Sequence, residues 1–381
     1  MKNNFIYLDY NATTPLDRRV MEHMHPYFDV RYANPNSSHL FGLSVNELLE
    51  ETVQSLADSI GSSDRNIIYT SGATEAINLA FKGLRVADRK HIVTVSTEHS
   101  AVLDTCSFLK TQGYSVTYLP VDNMGFIDLI ELENAISEQT LLVSVMLANN
   151  ETGVILPVKE IVEIAHRKGT IVLCDATQAV GKIPVDIRDM GADMLAFSAH
   201  KFCGPKGIGA LYLSDNVRKD IIPQIHGGKQ QHGLRSGTLN VPAIIGMQKA
   251  LEIAVSEMDT EAQRIRKLRD QLEEGLLTIT DSFVNGHTEN RLYNTTNMRF
   301  LGVQSAELIL NMREICVSSG SACTSTVTRP SHVLKAMGLS DAEGLSALRL
   351  SLGRFTTNEE IEKTIDKMKI TVDKLRNRRS F

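Results

Sequence analysis

The sequence predicts an α/β fold in which a mainly parallel central sheet, covered by helices on both faces, forms a large domain beside a smaller α+β domain. Two patterns carry this expectation. Apolar runs of strand length, Asn66 to Tyr69, Ile92 to Val95, Val116 to Leu119, Leu141 to Leu147, Ile171 to Cys174 and Met194 to Phe197, alternate with helical segments such as Ala101 to Lys110 and Val158 to Lys168. Beyond about residue 255 that alternation gives way to a long amphipathic helix, followed by short strands and loops. With 381 residues, 42% of them hydrophobic, the chain can bury a sizeable core, and the expected division is residues 15–255 for the large domain and 1–14 with 256–381 for the small one.

Taken in order, the opening strand Ile6-Tyr7-Leu8 runs into a polar turn, Asp9 to Pro15, with Pro15 suited to start the next helix. The loop cluster Asn34 to His39 precedes a helix carrying Leu48, Leu49, Val53 and Leu56. In the regular region that follows, ligands are expected beyond the carboxyl ends of the strands. The segments that matter are therefore Ser71 to Thr74, Glu98-His99, Asn149-Asn150, Asp175 and Ser198 to Lys201. Near the end, Ile361, Ile365, Met368, Val372 and Leu375 form one helical stripe that reads as a core face.

Composition excludes several classes. A net charge of −5 with no long basic block gives no electrostatic footprint for nucleic acid. No apolar run reaches the length of a signal peptide core or a membrane span, so a cytoplasmic protein is expected. The five cysteines, Cys106, Cys174, Cys203, Cys316 and Cys323, lack a C-x-x-C pair, which speaks against a disulfide framework or structural zinc, and no metal site is expected. His23 and His25 have no ligand partners nearby and read as surface residues.

The chemistry centres on Ser198-Ala199-His200-Lys201, where a buried strand gives way to a Gly/Pro turn. A lysine there is partly stripped of water, which favours its neutral, nucleophilic form; lowering its pKa by about three units takes roughly 4 kcal/mol of environment. Lys206, inside Gly-Pro-Lys-Gly, reads instead as a solvated turn residue. Ser71-Gly72-Ala73-Thr74-Glu75 lies between a strand and a helix, where backbone N–H groups favour an anion, although simple N-capping fits the same residues. Asp175 at the lip of an apolar strand is expensive unless it meets a cation or caps a helix; Gln178 follows at turn spacing, and His99 could stack on a flat ring. No Walker or G-x-G-x-x-G loop supports a nucleotide. An amine, a carboxylate, an imidazole, an amide and a phosphate cup together match pyridoxal 5'-phosphate.

Through Leu8 to Pro15, Thr70 to Glu75, Thr97-Glu98-His99, Asn149 to Gly153, Asp175 to Gln178, Ser198 to Lys201, Arg235 to Thr238, Ser318 to Thr324 and Arg349 to Arg354, the chain resembles cysteine desulfurases of the NifS/IscS type, within the fold-type-I pyridoxal-phosphate enzymes. The resemblance implies that the large domain binds the cofactor. Lys201 would hold it covalently, Asp175 would pair with the pyridine nitrogen, Gln178 would bond the ring oxygen, and His99 would stack and move protons. Ala73, Thr74, Ser198 and His200 would hold the phosphate, with Thr238 reaching in from the second subunit of a homodimer. Asn150 and Arg349 would bind the carboxylate of L-cysteine.

Cys323, in a run of small and hydroxyl-bearing residues too polar to pack a core, would attack the substrate sulfur, leaving alanine and a persulfide. Cys174 and Cys316, inside apolar runs, read as buried packing thiols, and Cys203 as a fixed neighbour of the lysine turn. Extended at roughly 3.3 Å per residue, the stretch Ser318 to Arg329 could carry a thiol on the order of 10 Å or more, which suits delivery to an acceptor protein for iron-sulfur assembly, tRNA thiolation or DNA sulfur modification. The segment Gly227 to Gly233 departs from the family at Lys229, Gln231 and His232, and the sequence stops at Phe381 before the tail some members carry; both bear on the choice of acceptor. Selenocysteine lyase or aminotransferase activity, or a sulfur-carrying scaffold without catalysis, are the rival expectations.

Overall fold

The computed structural model describes residues 5–86, 88–319 and 329–379. Among the described residues twelve strands are formed. Seven of them, β2 (Ile67–Thr70), β3 (His91–Val95), β4 (Ser115–Leu119), β5 (Thr140–Met146), β6 (Ile171–Asp175), β7 (Met194–Ser198) and β8 (Gly209–Leu213), make one sheet in the order β2-β8-β7-β6-β5-β3-β4. The five strands from β7 to β4 are mutually parallel, as the strand–helix alternation requires. β8 was not anticipated. Its residues follow the Gly/Pro turn too closely for a crossover helix, so the chain doubles back and β8 enters antiparallel between β2 and β7.

Both faces of the sheet are covered, and the side chains divide with the two-residue period of a strand. Val93, Val143, Val172 and Leu195 belong to one apolar cluster, against helices α1 (Arg18–Met24), α2 (Leu40–Asp58), α5 (Val158–Arg167) and α6 (Val241–Ser256). Ile92, Leu142, Leu173 and Met194 belong to the other, against α3 (Ala73–Gly83) and α4 (Ser100–Thr111). Pro15 does not start a helix: α1 begins at Arg18, because the Asp17 side chain accepts the Arg19 N–H as its N-cap.

On the side away from β8, β2 has no neighbouring strand among the described residues. The side-chain amide of Gln231 takes that place, accepting the Tyr69 N–H at 2.6 Å and donating to the Tyr69 carbonyl at 2.9 Å. Lys229, Gln231 and His232 all adopt positive φ to bring it there.

A third apolar cluster joins the opening residues to the chain after residue 258. α7 (Met258–Leu277) and α9 (Asn358–Arg379) pack on the antiparallel strands β9 (Ser282–Val284), β10 (Thr295–Phe300) and β12 (Ala347–Ser351). Leu8, Leu272, Phe300, Leu350, Ile361, Met368 and Val372 meet there, so the last helix does present its apolar stripe to a core. Truncating Phe300 to Ala would cost about 3–5 kcal/mol by loss of burial and the cavity left behind. Strand β1 (Ile6–Tyr7) pairs parallel with β11 (Ile315–Cys316). Cys316 is half-buried rather than buried, because this two-stranded ribbon packs on one face only; Cys106, Cys174 and Cys203 are buried.

Candidate active site

The carboxyl ends of the strands open into one cavity of about 1140 Å³. Each strand delivers its own group. The end of β2 supplies Gly72, Ala73 and Thr74, β3 leads to His99, β5 to Asn150, β6 to Asp175 and Gln178, β7 to Ser198, His200 and Lys201, and β12 brings Arg349 across from the other side. Cys323 lies outside the described residues. Thr238 is exposed and is not among the residues lining the cavity.

Lys201 donates to two backbone carbonyls of the opening turn, Asn11 at 2.5 Å and Ala12 at 2.8 Å. Burial, and after it the Arg349 guanidinium, lower its pKa to about 8, against the opposing pull of Asp175 and Asp9. The amine is therefore neutral in an appreciable fraction at physiological pH. Lys206 is exposed, with only a long 3.4 Å contact to the Thr14 carbonyl.

Where β2 meets α3, the N-cap is Gly72, which has no side chain with which to close the helix. Ala73 and Thr74, in the first turn, line the cavity, where the helix N-terminus favours an anion. Close packing shapes this cup: a Cβ on Gly209 would lie 2.7 Å from the Gly72 Cα and 2.6 Å from the Phe197 carbonyl. Glu75 Oε2 accepts the Ser71 N–H at 2.7 Å and Arg235 pairs with the same carboxylate, which fixes the turn leading into the helix. Ser198 is buried and donates to the Ile208 carbonyl at 3.3 Å. His200 shares a hydrogen bond with Thr13 Oγ1 at 3.1 Å. Burial, then the charges of Lys201, Lys206 and Lys182, hold His200 down to about 4, so it meets an anion as a neutral hydrogen-bonding imidazole and not as a cation.

His99 has two jobs. Its Nδ1 accepts the Ala101 N–H at 3.1 Å, capping α4, which leaves Nε2 as the protonated nitrogen of the neutral ring. Burial lowers its pKa while Asp175 pulls the other way. Asp175 Oδ1 accepts the Thr177 N–H at 3.0 Å, a local turn that sets the carboxylate at the strand lip.

Several groups at the site gave no signal as separate residues. Glu98 is fully buried; its Oε1 accepts the Met146 N–H at 2.6 Å and its Oε2 has no hydrogen-bond partner. Burial, reinforced by the nearby Asp175, pushes its carboxyl well above the usual range. Glu151 is likewise buried and its pKa raised by burial; it accepts from Ser331 Oγ. His332 donates from Nε2 toward the Glu98 carbonyl at 2.9 Å and also lines the cavity. In the sequence these residues follow or precede stronger motifs, and only the folded chain shows that their side chains turn inward. Among the described residues no group of three or more His, Cys, Asp or Glu is placed to hold a metal ion, and no helix is long and apolar enough to cross a membrane.

A parallel α/β sheet with a lysine, a carboxylate and a helix N-terminus converging at its strand ends defines a class of enzymes, and here the class can be given: residues 6–364 match the aminotransferase class-V family, and the chain belongs to it. Members of this family in general depend on pyridoxal phosphate. The chain is 46% identical over 377 residues to the cysteine desulfurase IscS of Edwardsiella ictaluri, covering 97% of this chain and 93% of that protein. A solved NifS-like protein superimposes with a TM-score of 0.91 at 38% identity, covering 97% of this chain and 99% of the other. The solved complex of SspA with cysteine superimposes with a TM-score of 0.81 at 36% identity, over 92% of this chain and 99% of that one.

Proposed function

We propose that this protein is a cytoplasmic, homodimeric cysteine desulfurase that uses pyridoxal 5'-phosphate to take sulfur from L-cysteine, and passes it as a Cys323 persulfide to an acceptor protein. The observation that carries this reading is Lys201, an amine lowered to about 8 in the same cavity as Asp175, His99 and Arg349. The donor set fits the cofactor: an uncapped helix N-terminus for its phosphate, a carboxylate for its ring nitrogen, and an amine near neutrality for its carbonyl carbon. The identity to IscS relatives and the cysteine complex of SspA support the same substrate.

When bound, pyridoxal phosphate supplies the electron sink that stabilises the charge left after a proton leaves the substrate α carbon. The chain supplies everything around that sink. Ala73, Thr74, Ser198 and His200 would hold the phosphate, and Thr238 of a second copy would complete the cup. Asp175 would face the ring nitrogen, and Gln178 would donate to the ring oxygen. Arg349, with Asn150, receives the substrate carboxylate. Lys201, once its amine is free, takes the α proton, and His99 moves protons from the face its Nε2 presents. The Cys323 thiolate would then attack the substrate sulfur: an S–S bond forms, the C–S bond breaks with its electron pair left on carbon, and protonation of the β and α carbons releases alanine.

The test is direct. Purified protein supplied with pyridoxal phosphate and L-cysteine should yield alanine, with one added sulfur on the peptide containing Cys323. Borohydride reduction should place the cofactor mass on Lys201. Cys323→Ser should retain the cofactor and lose alanine release. Retained turnover in that variant would move the sulfur chemistry to another thiol, and turnover confined to selenocysteine or to amino-group transfer would replace the reading. Binding of sulfur without alanine formation would leave a carrier and no enzyme.

A further inference from the structure

Beneath the proposed cofactor cavity lies a buried lysine with no carboxylate among the described residues within hydrogen-bonding reach. Lys182 is 6% exposed, and its Nζ donates to the backbone carbonyl and to the side-chain Oε1 of Gln178, both at 3.0 Å. The local turn makes this contact. Val180 and Lys182 donate their N–H groups to the carbonyls of Ala176 and Ala179. Gly181 adopts φ of +76°, where a Cβ would stand 2.6 Å from the Cβ of Phe202, so the chain can fold Lys182 back beneath Gln178 only because residue 181 is glycine. On its far side Lys182 borders a cavity of about 50 Å³, which it shares with Lys201, Cys203, Glu261, Tyr293 and Arg354.

Gln178 is itself buried, and its amide is pinned at both ends. Nε2 donates to the Asn11 carbonyl at 2.9 Å, an oxygen that can only accept. Oε1 faces Lys182, whose Nζ donates to it. Those two partners fix which end of the amide is nitrogen, and one N–H of Nε2 remains after Asn11 is served.

We propose that Lys182 is a positioning residue for the cofactor site: by holding Oε1 of Gln178 from below, it presents the second N–H of Nε2 to the cavity as a fixed donor to an anionic ring oxygen. This rests on the cofactor reading above. A buried lysine is costly, and burial followed by the charge of Lys201 lowers Lys182 to about 7. In either protonation state it has enough N–H groups for both Gln178 oxygens. The charged and titratable groups around it are Lys201 and Cys203 on the lysine turn, Arg349 from β12, and Glu261, Tyr293 and Arg354 across the small cavity.

The experiment measures retention of pyridoxal phosphate and the absorption band of the bound cofactor, not turnover. Wild-type protein should carry the cofactor on Lys201; if it does not, the cofactor reading itself has failed, whatever the variants do. Lys182→Met, close to isosteric, should hold pyridoxal phosphate about tenfold more weakly and shift the band, as expected for one lost hydrogen bond to a charged group. On a Gln178→Ala background the same change should add nothing. Gln178→Glu keeps the contact with Lys182 as an ion pair but has no N–H to offer, so it should stay folded and lose retention to the same degree. Equal effects of Lys182→Met on both backgrounds, wild-type retention in Lys182→Met, or wild-type retention in Gln178→Glu would each overturn the proposal.

Discussion

Arg349 holds Asp9 across 340 positions of sequence, Nη2 donating to Oδ1 at 2.6 Å. Its Nη1 donates to the Asn150 carbonyl at 3.1 Å, and its Nε is buried without a partner. The guanidinium proposed to receive the substrate carboxylate is thus already aimed, by a carboxylate that a substrate must share or displace.

Removing the fork should therefore be felt in substrate binding before anything else. Arg349→Ala should raise KM for cysteine by tenfold or more, the scale of a charge-assisted hydrogen bond, while pyridoxal phosphate stays bound. Asp9→Asn keeps the shape but removes the competing charge, and should lower KM. Steady-state kinetics at fixed ionic strength would check both; a rise in KM for Asp9→Asn would mean that Asp9 aims Arg349 more than it competes.

The raised pKa of the buried Glu98 ties stability to pH. The unfolded chain releases this proton near 4.5, whereas the native chain keeps it well above that value. Native protein then binds more protons, so the contribution of Glu98 is fully present below pH 4.5 and is lost as pH rises toward the native pKa. Glu98→Gln abolishes that loss. Its melting temperature should gain on the wild type between pH 4 and pH 7, and a constant difference across that range would show that Glu98 is not held neutral.

Ser331 serves two masters, donating to the buried Glu151 while accepting the N–H groups of Val333 and Leu334 at 3.1 and 3.3 Å to start helix α8 (His332–Ala336). Ser331→Ala should cost about 2 kcal/mol in urea melts, from a lost N-cap and a buried carboxyl left without its donor. Glu151→Gln still offers an oxygen to Ser331 and should cost clearly less.

Thr238 is exposed and absent from the cavity of its own chain, which makes its proposed role depend on a second copy. Thr238→Ala should loosen pyridoxal phosphate without lowering the melting temperature of the cofactor-free protein. Sedimentation should show a dimer, and mixing Thr238→Ala with Lys201→Ala should give a hybrid with one intact site. Undiminished retention in a monomer would exclude a shared site.

Strand ends were legible in the sequence because a buried parallel strand must be continuously apolar, and the first polar residue after it marks the edge of the sheet. That rule led to Ser71, His99, Asn150, Asp175 and Lys201, and all five line one cavity. It could not reach β8, whose Gly209–Leu213 run follows the lysine turn without a helix to separate it. It named Glu98 beside His99 but not the burial of its carboxyl, and it did not reach Glu151 or Lys182: a charged letter reads as solvent-facing, and its burial depends on partners that the chain delivers from far away or around a glycine. The contact of Lys201 with the Asn11 and Ala12 carbonyls was hidden for a related reason, since backbone oxygens carry no sequence signal. Pro15 read as a helix start on propensity alone, and Asp17 took that place because its side chain offers the cap.

The edge of the main sheet has a further consequence for life at high concentration. An unpaired strand edge is a template on which another chain can add itself, and β2, only four residues long, offers a short one. Here a single glutamine reads both polar groups of Tyr69 as a neighbouring strand would, but a side chain ends where it stands and offers nothing for the next molecule to extend. Among the described residues this edge of the sheet is finished by a side chain rather than by another strand, so the outward polar pair of Tyr69 is already occupied.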